Sequence, residues 1–283
     1  MKNIQILARM TFREAIRRRM VLTGLVLGIC FLIIFSIGFR MINAAAFQAT
    51  SRAGETAGRV LQKEGINVLL LAGLYAVTFL SIAMGALLGA DTLAGEINSG
   101  TIQTIVTKPV RRSDVVFGKW FGFATLLGLY VILMAGGTVL SVWIQSGYIP
   151  LHLPAGLTLI YLEALLVMTV SLTMSSFLSG LATGGVVFGL YGLAFIGGWI
   201  EQIGSILQNQ TAIKIGIVTS LIIPSEALWR RASYEMQTPL SGALGMTPFS
   251  AVSVPSGLMI GYAVLYLGIA LWIAVNIFQN RDL

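Results

Sequence analysis

The stretch NVLLLAGLYAVTFLSIAMGALLGA, residues 67–90, contains no charged residue. An α-helix needs about 20 predominantly apolar residues to cross the roughly 30 Å hydrocarbon core of a bilayer. The whole chain has a similar character, with 56% hydrophobic residues, 10% charged residues and a mean hydropathy of +0.87. These values lie far outside the range of soluble domains. The sequence therefore predicts an integral membrane protein.

Five further stretches meet the same criterion, so we predict an all-α protein with six transmembrane helices. The predicted spans are residues 21–39, 67–90, 120–144, 156–177, 181–200 and 254–277. The basic N-terminus and first apolar run could be read as a signal peptide. That apolar run is longer than the ~7–15 residues of a signal-peptide core, which favours a retained helix. We interpret residues 1–283 as one transmembrane domain.

Basic residues indicate the orientation, because cytoplasmic loops carry an excess of Lys and Arg. With the N-terminus inside, the inner side carries the basic residues of segments 2–19 and 108–119 together with Arg281. The outer side carries basic residues that lie mostly in long predicted loops, which weigh less: Arg40, Arg52, Arg59, Lys63, Lys214, Arg230 and Arg231. We therefore predict a multi-pass protein of the cell membrane with both termini in the cytoplasm.

The composition also bears on other functions. The formal net charge of +7 could suggest a nucleic-acid partner, but the basic residues cluster beside apolar spans, so we expect none. The single cysteine excludes an intrachain disulfide, and the single histidine excludes a His-rich metal site.

Residues 1–19 predict an amphipathic helix that lies along the membrane interface before the first span. Its apolar face is predicted to carry Ile4, Leu7, Ala8, Thr11, Phe12 and Ala15, with Ile6 and Ile16 outside that pattern. The charged residues that we assign to this interfacial helix are Arg9, Arg13, Glu14 and Arg17. An alternative is that the basic residues only hold the first span in its orientation.

The run GEINSGTIQTIVTKPVRRSDVVFGK, residues 95–119, interrupts the apolar sequence on the predicted cytoplasmic side. Small and apolar residues recur at helical spacing in its first half, which predicts a short cytoplasmic helix. Pro109 disfavours helical backbone at the preceding residue and so predicts a break. Ser113 then offers an N-cap and Asp114 an acidic first turn for a new helix that leads into the third span.

Three motifs of this run, GEINSGT, KPVRR and GK, resemble in order and spacing the cytoplasmic segment of ABC-2 type permeases, the membrane subunits of ABC exporters. FREAIRRRMVL, before the first span, resembles the N-terminal interfacial helix of the same family. Six spans with both termini inside match its architecture. The chain departs from the family pattern after Glu96, where a charged residue is common and Ile97-Asn98 stands here.

The resemblance implies that residues 91–119 form a coupling segment that transmits motion from an ATPase into the membrane. The implied coupling residues are Gly95, Glu96, Gly100, Thr101, Pro109, Arg111, Arg112 and Lys119. It also implies a complex with two cytoplasmic ABC ATPase subunits and a second copy of this chain or a paralogue, surrounded by lipid in the cell inner membrane. Export is the implied direction of transport.

The sequence lacks the phosphate-binding motif G-x-x-x-x-G-K-[ST]. Gly118-Lys119 is followed by Trp120, so the hydroxyl that would hold magnesium is missing. We expect this chain to bind no cofactor and to be no enzyme by itself, with ATP and Mg²⁺ bound by the partner subunit.

A secondary transporter driven by an ion gradient is the alternative function. Its candidate residue is Glu163, the one carboxylate well within a predicted span, which would lie in a substrate pathway. Alternatively, Glu163 is hydrated from outside or paired with a loop arginine. A membrane-embedded enzyme is less favoured, because H-E-x-x-H is absent and His152 lies in a predicted loop.

Residues 201–253 predict a long extracytoplasmic loop with structure of its own. Within it, AIKIGIVTSLII, residues 212–223, is apolar but too short to span, and Pro224 ends it. We predict an interfacial or re-entrant helix; a seventh span would move the C-terminus outside. Glycines in the fifth span, in GGVVFG and GLYG, predict close packing of that span in the interior or at a dimer interface.

Overall fold

A computed structural model describes residues 2–50, 55–90, 92, 111–244, 249 and 253–280. These residues form ten α-helices and no strand, which confirms the all-α prediction for the described part of the chain. The helices are α1 (Lys2–Arg17), α2 (Arg19–Thr50), α3 (Glu55–Ala90), α4 (Arg112–Ser146), α5 (Leu153–Met174), α6 (Gly180–Ile206), α7 (Gln210–Ile222), α8 (Ser225–Met236), α9 (Pro239–Leu244) and α10 (Gly257–Gln279).

Six of these helices, α2 to α6 and α10, are long and apolar enough to cross a membrane, which confirms the predicted number of spans. The prediction of a long loop between the first two spans is wrong, because α2 continues to Thr50 and α3 already begins at Glu55. Arg40, Arg59 and Lys63 therefore lie on helices. Residues 40–66, between the two apolar stretches, contain several alanines, which favour helix, and no proline, which would end one. Both helices can therefore extend beyond their apolar residues.

The two ends of the helix bundle can be told apart by their contacts. Helix α1 packs against the first turns of α4. At the same end, Arg112 Nη1 donates a hydrogen bond to the backbone oxygen of Gln279, 3.0 Å away, at the end of α10. We call this the proximal end and the opposite one the distal end. Helix α5 is central, with 72% of its spanning window buried, whereas α2 and α10 are peripheral, with 11% and 22% buried.

Helices α7 and α8 form a bent pair, with an angle of 108° between them at the break before Ser225. Helix α7 runs back along α6, so closely that a Cβ added to Gly204 would lie 2.7 Å from Ala212 Cβ. Helix α8 then returns to the distal end, beside the start of α5, where Gly156 lies against Met236. The pair enters and leaves at one end, so it is re-entrant and not a seventh span.

Asn67 holds the end of this pair in place. Its Nδ2 donates hydrogen bonds to the backbone oxygen of Met236 (3.0 Å) and to the hydroxyl of Tyr148 (2.9 Å), and its Oδ1 accepts one from the backbone N–H of Thr238 (3.3 Å). Burial raises the pKa of Tyr148, which keeps its hydroxyl protonated. Asn67 is fully buried, so these bonds satisfy a polar group that would otherwise be costly at this depth.

The predicted boundary of the long loop is also wrong. Helix α6 continues to Ile206, six residues past Ile200, and the following residues largely fold back into the bundle as α7 and α8. Arg230, assigned to the long outer loop, lies on α8 and is 1% exposed. Hydropathy detects helices that cross a membrane. It cannot show that two short helices enter the bundle and satisfy each other's polar groups by hydrogen bonds.

Candidate functional sites at the two ends of the bundle

Helix α1 packs on α4 through two glycines that lie one turn apart, Gly118 and Gly122. A Cβ added to Gly118 would lie 2.5 Å from Leu7 Cβ, and one added to Gly122 would lie 2.8 Å from the backbone oxygen of Ala8. This is the G-x-x-x-G arrangement, in which missing side chains let two helix backbones approach closely. The N-terminal helix is thus fastened to the start of the third span.

The predicted helix before the first span is observed as α1. Its predicted apolar face contacts protein, since Ala15 is fully buried and Leu7 packs near α4. The predicted charged residues Arg9, Arg13, Glu14 and Arg17 are all exposed on the surface of the helix. Contact of this surface with lipid headgroups stays a prediction.

Five predicted coupling residues lie outside the described part of the chain: Gly95, Glu96, Gly100, Thr101 and Pro109. Their roles stay predictions. The prediction of Ser113 as N-cap is wrong, because α4 begins at Arg112 and its N-cap is Arg111, with an extended backbone (φ −67°, ψ 138°) and no side-chain cap. Asp114 lies in the first turn, as predicted.

The three described basic residues of the coupling segment have different surroundings. Arg111 is exposed, whereas Arg112 bonds to the end of α10. Lys119 is 5% exposed, and its Nζ donates a hydrogen bond to the backbone oxygen of Thr92, 3.5 Å away. Since Thr92 follows α3 and Lys119 lies in α4, this bond joins the two ends of the coupling segment.

A small hydrophobic cluster surrounds the start of α4. Its buried members come from α4, α5 and α10: Val115, Val116, Leu172, Ala274, Val275 and Phe278. Leu7 of α1 and Trp120 pack against it. A displacement of the coupling segment would therefore act on several helices at once, because packed interiors transmit strain.

A group of buried charged residues lies in the distal half of the bundle. Glu163 is fully buried in α5, and neither of its carboxylate oxygens has a hydrogen-bond partner among the described residues. Of the alternatives that the sequence left open, no arginine bonds to Glu163 within the part of the chain that the structure describes. Glu226 of α8 is a second buried acid in this group, at 3% exposed.

Glu201 and Arg230 form a buried ion pair, with Glu201 Oε1 2.6 Å from Arg230 Nη1. Ser253 Oγ also donates to Glu201 Oε1 (2.7 Å), and Arg230 Nη2 donates to Ser220 Oγ (3.2 Å). The sequence interpretation missed this pair and Glu226. Glu226 and Arg230 are four residues apart, which is the spacing of an ion pair on one helix face. Because they follow the short apolar segment 212–223 in the sequence, this spacing could have indicated charged residues at the site.

A family model described as ABC-2 family transporter protein matches residues 5–283. The match includes most of α1, the coupling segment and the re-entrant pair as well as all six spans. A search of curated proteins finds no match for the chain. The resemblance inferred from the polar segment is therefore confirmed over nearly the whole chain.

Proposed function

Because this chain belongs to the ABC-2 family of transporter proteins, it is a permease subunit of an ABC transporter, and we propose that it exports its cargo with energy from a separate ATPase subunit. The observation that carries the proposal is the family match over residues 5–283 in a chain without a phosphate-binding motif. Two ATPase subunits would bind ATP and Mg²⁺ and would dock at the proximal end.

The proximal end is the proposed cytoplasmic end. Helix α1 and the end of α10 both lie there, together with Arg9, Arg13 and Arg17 of α1 and the described basic residues Arg111, Arg112 and Lys119 of the coupling segment. This distribution supports the positive-inside orientation, with both termini in the cytoplasm.

In the proposed coupling mechanism, Glu96 and Arg111 make polar contacts with the ATPase. Arg112 and Lys119 act on positions within the chain, because Arg112 bonds to Gln279 and Lys119 bonds to Thr92. The bond between Lys119 and Thr92 would make α3 and α4 respond together when nucleotide hydrolysis moves the segment between them.

A second copy of the chain, or a paralogue, is the proposed membrane partner. Within the described part of the chain, the fifth-span glycines Gly184, Gly185, Gly189 and Gly192 have no atom within 4 Å of an added Cβ, so of the two expected locations the interior is not supported for them. The open surface that they leave on α6 supports the other expectation, a close helix contact with a second membrane subunit.

Transport driven by an ion gradient stays the second candidate, supported by the buried Glu163, whose carboxylate oxygens have no hydrogen-bond partner among the described residues. An unpaired acid at this depth is costly and usually functional. The two candidates differ in their source of energy, so one experiment separates them.

To test the ATPase partner, the tagged full-length chain is purified from native membranes and the co-purified proteins are identified. We expect a subunit with a phosphate-binding motif in the complex. Transport that proceeds in vesicles without such a subunit and depends on an ion gradient would support the second candidate.

The coupling residues are tested in the reconstituted complex. Glu96→Ala should reduce transport-linked ATP hydrolysis by roughly ten- to a hundredfold, since a charge-assisted hydrogen bond contributes about 1.5–3 kcal/mol. Arg111→Ala combined with Arg112→Ala should reduce it partially. Lys63→Ala, which removes an exposed cation from the distal part of α3, is the control. If the Glu96 variant retains both transport and ATP hydrolysis, residues 95–119 are only a basic cytoplasmic loop and the coupling role is wrong.

A further inference from the structure

A pocket of about 830 Å³ lies between α2, α3 and α4 in the distal half of the bundle. This volume is within the range of small-molecule sites in proteins, roughly 300–1,000 Å³. Its polar lining residues include Ser36, Arg40 and Asn43 of α2, Gln62 of α3 and Gln145 of α4. Gln145 joins two of the walls, because its Nε2 donates hydrogen bonds to the backbone oxygen of Ser36 (3.3 Å) and to Ser36 Oγ (3.2 Å).

Arg40 lies at the depth of the distal lipid headgroups. Residues 20–39 of α2 contain no charged residue, and they separate Arg40 from Arg19, which begins this helix at the proximal end. At about 1.5 Å per residue, the helix from Arg19 to Arg40 extends over about 32 Å. This length is close to the roughly 30 Å thickness of the hydrocarbon core. Arg40 therefore reaches the headgroup region of the distal leaflet.

The accessible polar side chains of this pocket have unused hydrogen-bonding capacity. Arg40 is exposed, and Asn43 and Gln62 are partly exposed. None of these three side chains forms a hydrogen bond or an ion pair with the described residues. A guanidinium offers five N–H donors in a fork that fits a phosphate, and an amide group adds further donors. The pocket is therefore suited to an oxyanion.

The pocket also has apolar walls on the lipid side of the bundle. Ile37 of α2 and Ile144 of α4 line it and are 58% and 70% exposed. Helix α2 is peripheral, with only 11% of its spanning window buried. Because the anion site and these exposed apolar side chains adjoin at the edge of the membrane, an occupant that carries both an anionic group and an apolar part fits best.

We propose that this pocket binds an anionic phospholipid of the distal leaflet, one whose headgroup carries a phosphate and no ammonium, as in phosphatidylglycerol. Arg40 donates to the phosphate, Asn43 and Gln62 donate to other oxygens of the headgroup, and the acyl chains lie along Ile37 and Ile144.

The charge of the lining selects an anionic headgroup over a zwitterionic one. Arg40 is the charged residue among those that line the pocket, and none of the described lining residues is acidic. A choline or ethanolamine headgroup would therefore bring its ammonium close to Arg40 without a carboxylate to offset the repulsion. Like charges placed together in this way suppress binding of the wrong partner.

The test uses the full-length chain purified in mild detergent and depleted of lipid. Dioleoylphosphatidylglycerol, dioleoylphosphatidylcholine and water-soluble glycerophosphoglycerol, which is the headgroup without acyl chains, are titrated separately. Binding is measured by native mass spectrometry and by the increase in thermal stability. We expect the glycerol lipid to bind about fivefold more tightly than the choline lipid, the effect of one cation on an anionic lipid.

Two pairs of variants locate the site. Arg40→Gln should remove the preference for the anionic lipid, whereas Lys63→Gln should keep it, because Lys63 is an exposed cation of α3 that does not line the pocket. Ile144→Trp should block the mouth of the pocket and weaken binding of the anionic lipid while Arg40 stays in place. Ile132→Trp is its control, because Ile132 is 69% exposed on the same helix and lies outside the pocket.

The results decide the proposal as follows. Equal binding of the two lipids would overturn it, and so would equal losses for Arg40→Gln and Lys63→Gln, which would show only a general attraction to positive charge. If Arg40→Gln does not fold, the tryptophan variants decide, and binding that is the same for Ile144→Trp and Ile132→Trp would overturn the proposal. Glycerophosphoglycerol that binds as tightly as the lipid would show a water-borne ligand and would also overturn it. Since transport is not measured, failure of this inference leaves the proposed ABC permease function standing.

Discussion

The two ends of the bundle differ in where their charged residues lie. At the proximal end, helices α1 and α4 meet through Gly118 and Gly122, and most charged side chains of α1 stay on the surface. At the distal end, the charged residues Glu163, Glu201, Glu226 and Arg230 are buried.

This difference shows two solutions to helix packing where lipid, not water, surrounds the protein. Apolar side chains gain little by leaving lipid for the protein interior, so close backbone contact and polar bonds must hold helices together. Both ends use close contact at glycines, and the distal end adds a buried ion pair whose partners depend on each other. Substitutions at the two ends should therefore lower the stability of the protein for different reasons.

Arg230→Leu should have the largest effect. It leaves Glu201 buried without its cation, a change that typically costs about 3–5 kcal/mol, whereas replacing both members of such a pair is often tolerated. Thermal unfolding of the purified chain should show a large loss that Glu201→Leu partly reverses in the double variant. Arg231→Leu is the control, since Arg231 forms a partly exposed pair with Glu235 and should cost less than ~1 kcal/mol. Equal losses for Arg230→Leu and Arg231→Leu would contradict the role of the buried pair.

Gly118→Ala should have the next largest effect. Alanine normally stabilises a helix interior relative to glycine by roughly 0.5–1 kcal/mol, but here its Cβ would lie 2.5 Å from Leu7 Cβ. Overpacking of this kind costs about 1–3 kcal/mol, so the sign of the change should reverse. Gly136→Ala, on the same helix with no atom within 4 Å of an added Cβ, should be neutral or stabilising. The melting temperatures of the two variants provide the measurement, and a stabilised Gly118 variant would mean that α1 is not fastened to α4.

Gly189→Leu tests whether the surface of α6 that carries Gly184, Gly185, Gly189 and Gly192 contacts a second membrane subunit. A Cβ added at Gly189 meets no atom of the described residues within 4 Å, so we expect the thermal stability of the single chain to change little. If α6 contacts a second membrane subunit, the yield of assembled dimer in detergent should fall. Gly268→Leu on α10, which also has open space around it, is the matched control. Dimer yield that is the same for both variants would place the interface elsewhere.

Glu163→Gln should have the smallest effect on stability. Glutamine keeps the shape of the side chain and removes a charge that has no partner among the described residues, so assembly should be retained. If Glu163 lines the transport pathway, transport or its pH dependence should nevertheless change. Transport that matches the wild type across a pH series would show that the acid has no part in it.

Several features could be predicted from the sequence because they depend on local composition. Hydropathy identified six spans, since each must present about 20 apolar residues to lipid whatever its neighbours are. The spacing of Leu7, Ala8 and Ala15 identified α1 as amphipathic, and Pro224 marked the end of α7. The motifs of the polar segment identified the family.

Other features are decided only by the tertiary structure, because they depend on which residues meet across helices. The sequence pattern could not show that α1 uses its apolar face against Gly118 and Gly122, or that Lys119 reaches Thr92. It also assigned Arg230 to a loop, although folding places this residue on α8 and buries it beside its counter-ion, Glu201. Hydropathy adds up the free-energy cost of placing each residue in the membrane by itself. That cost falls when a residue from a distant segment packs beside it and forms an ion pair or a hydrogen bond.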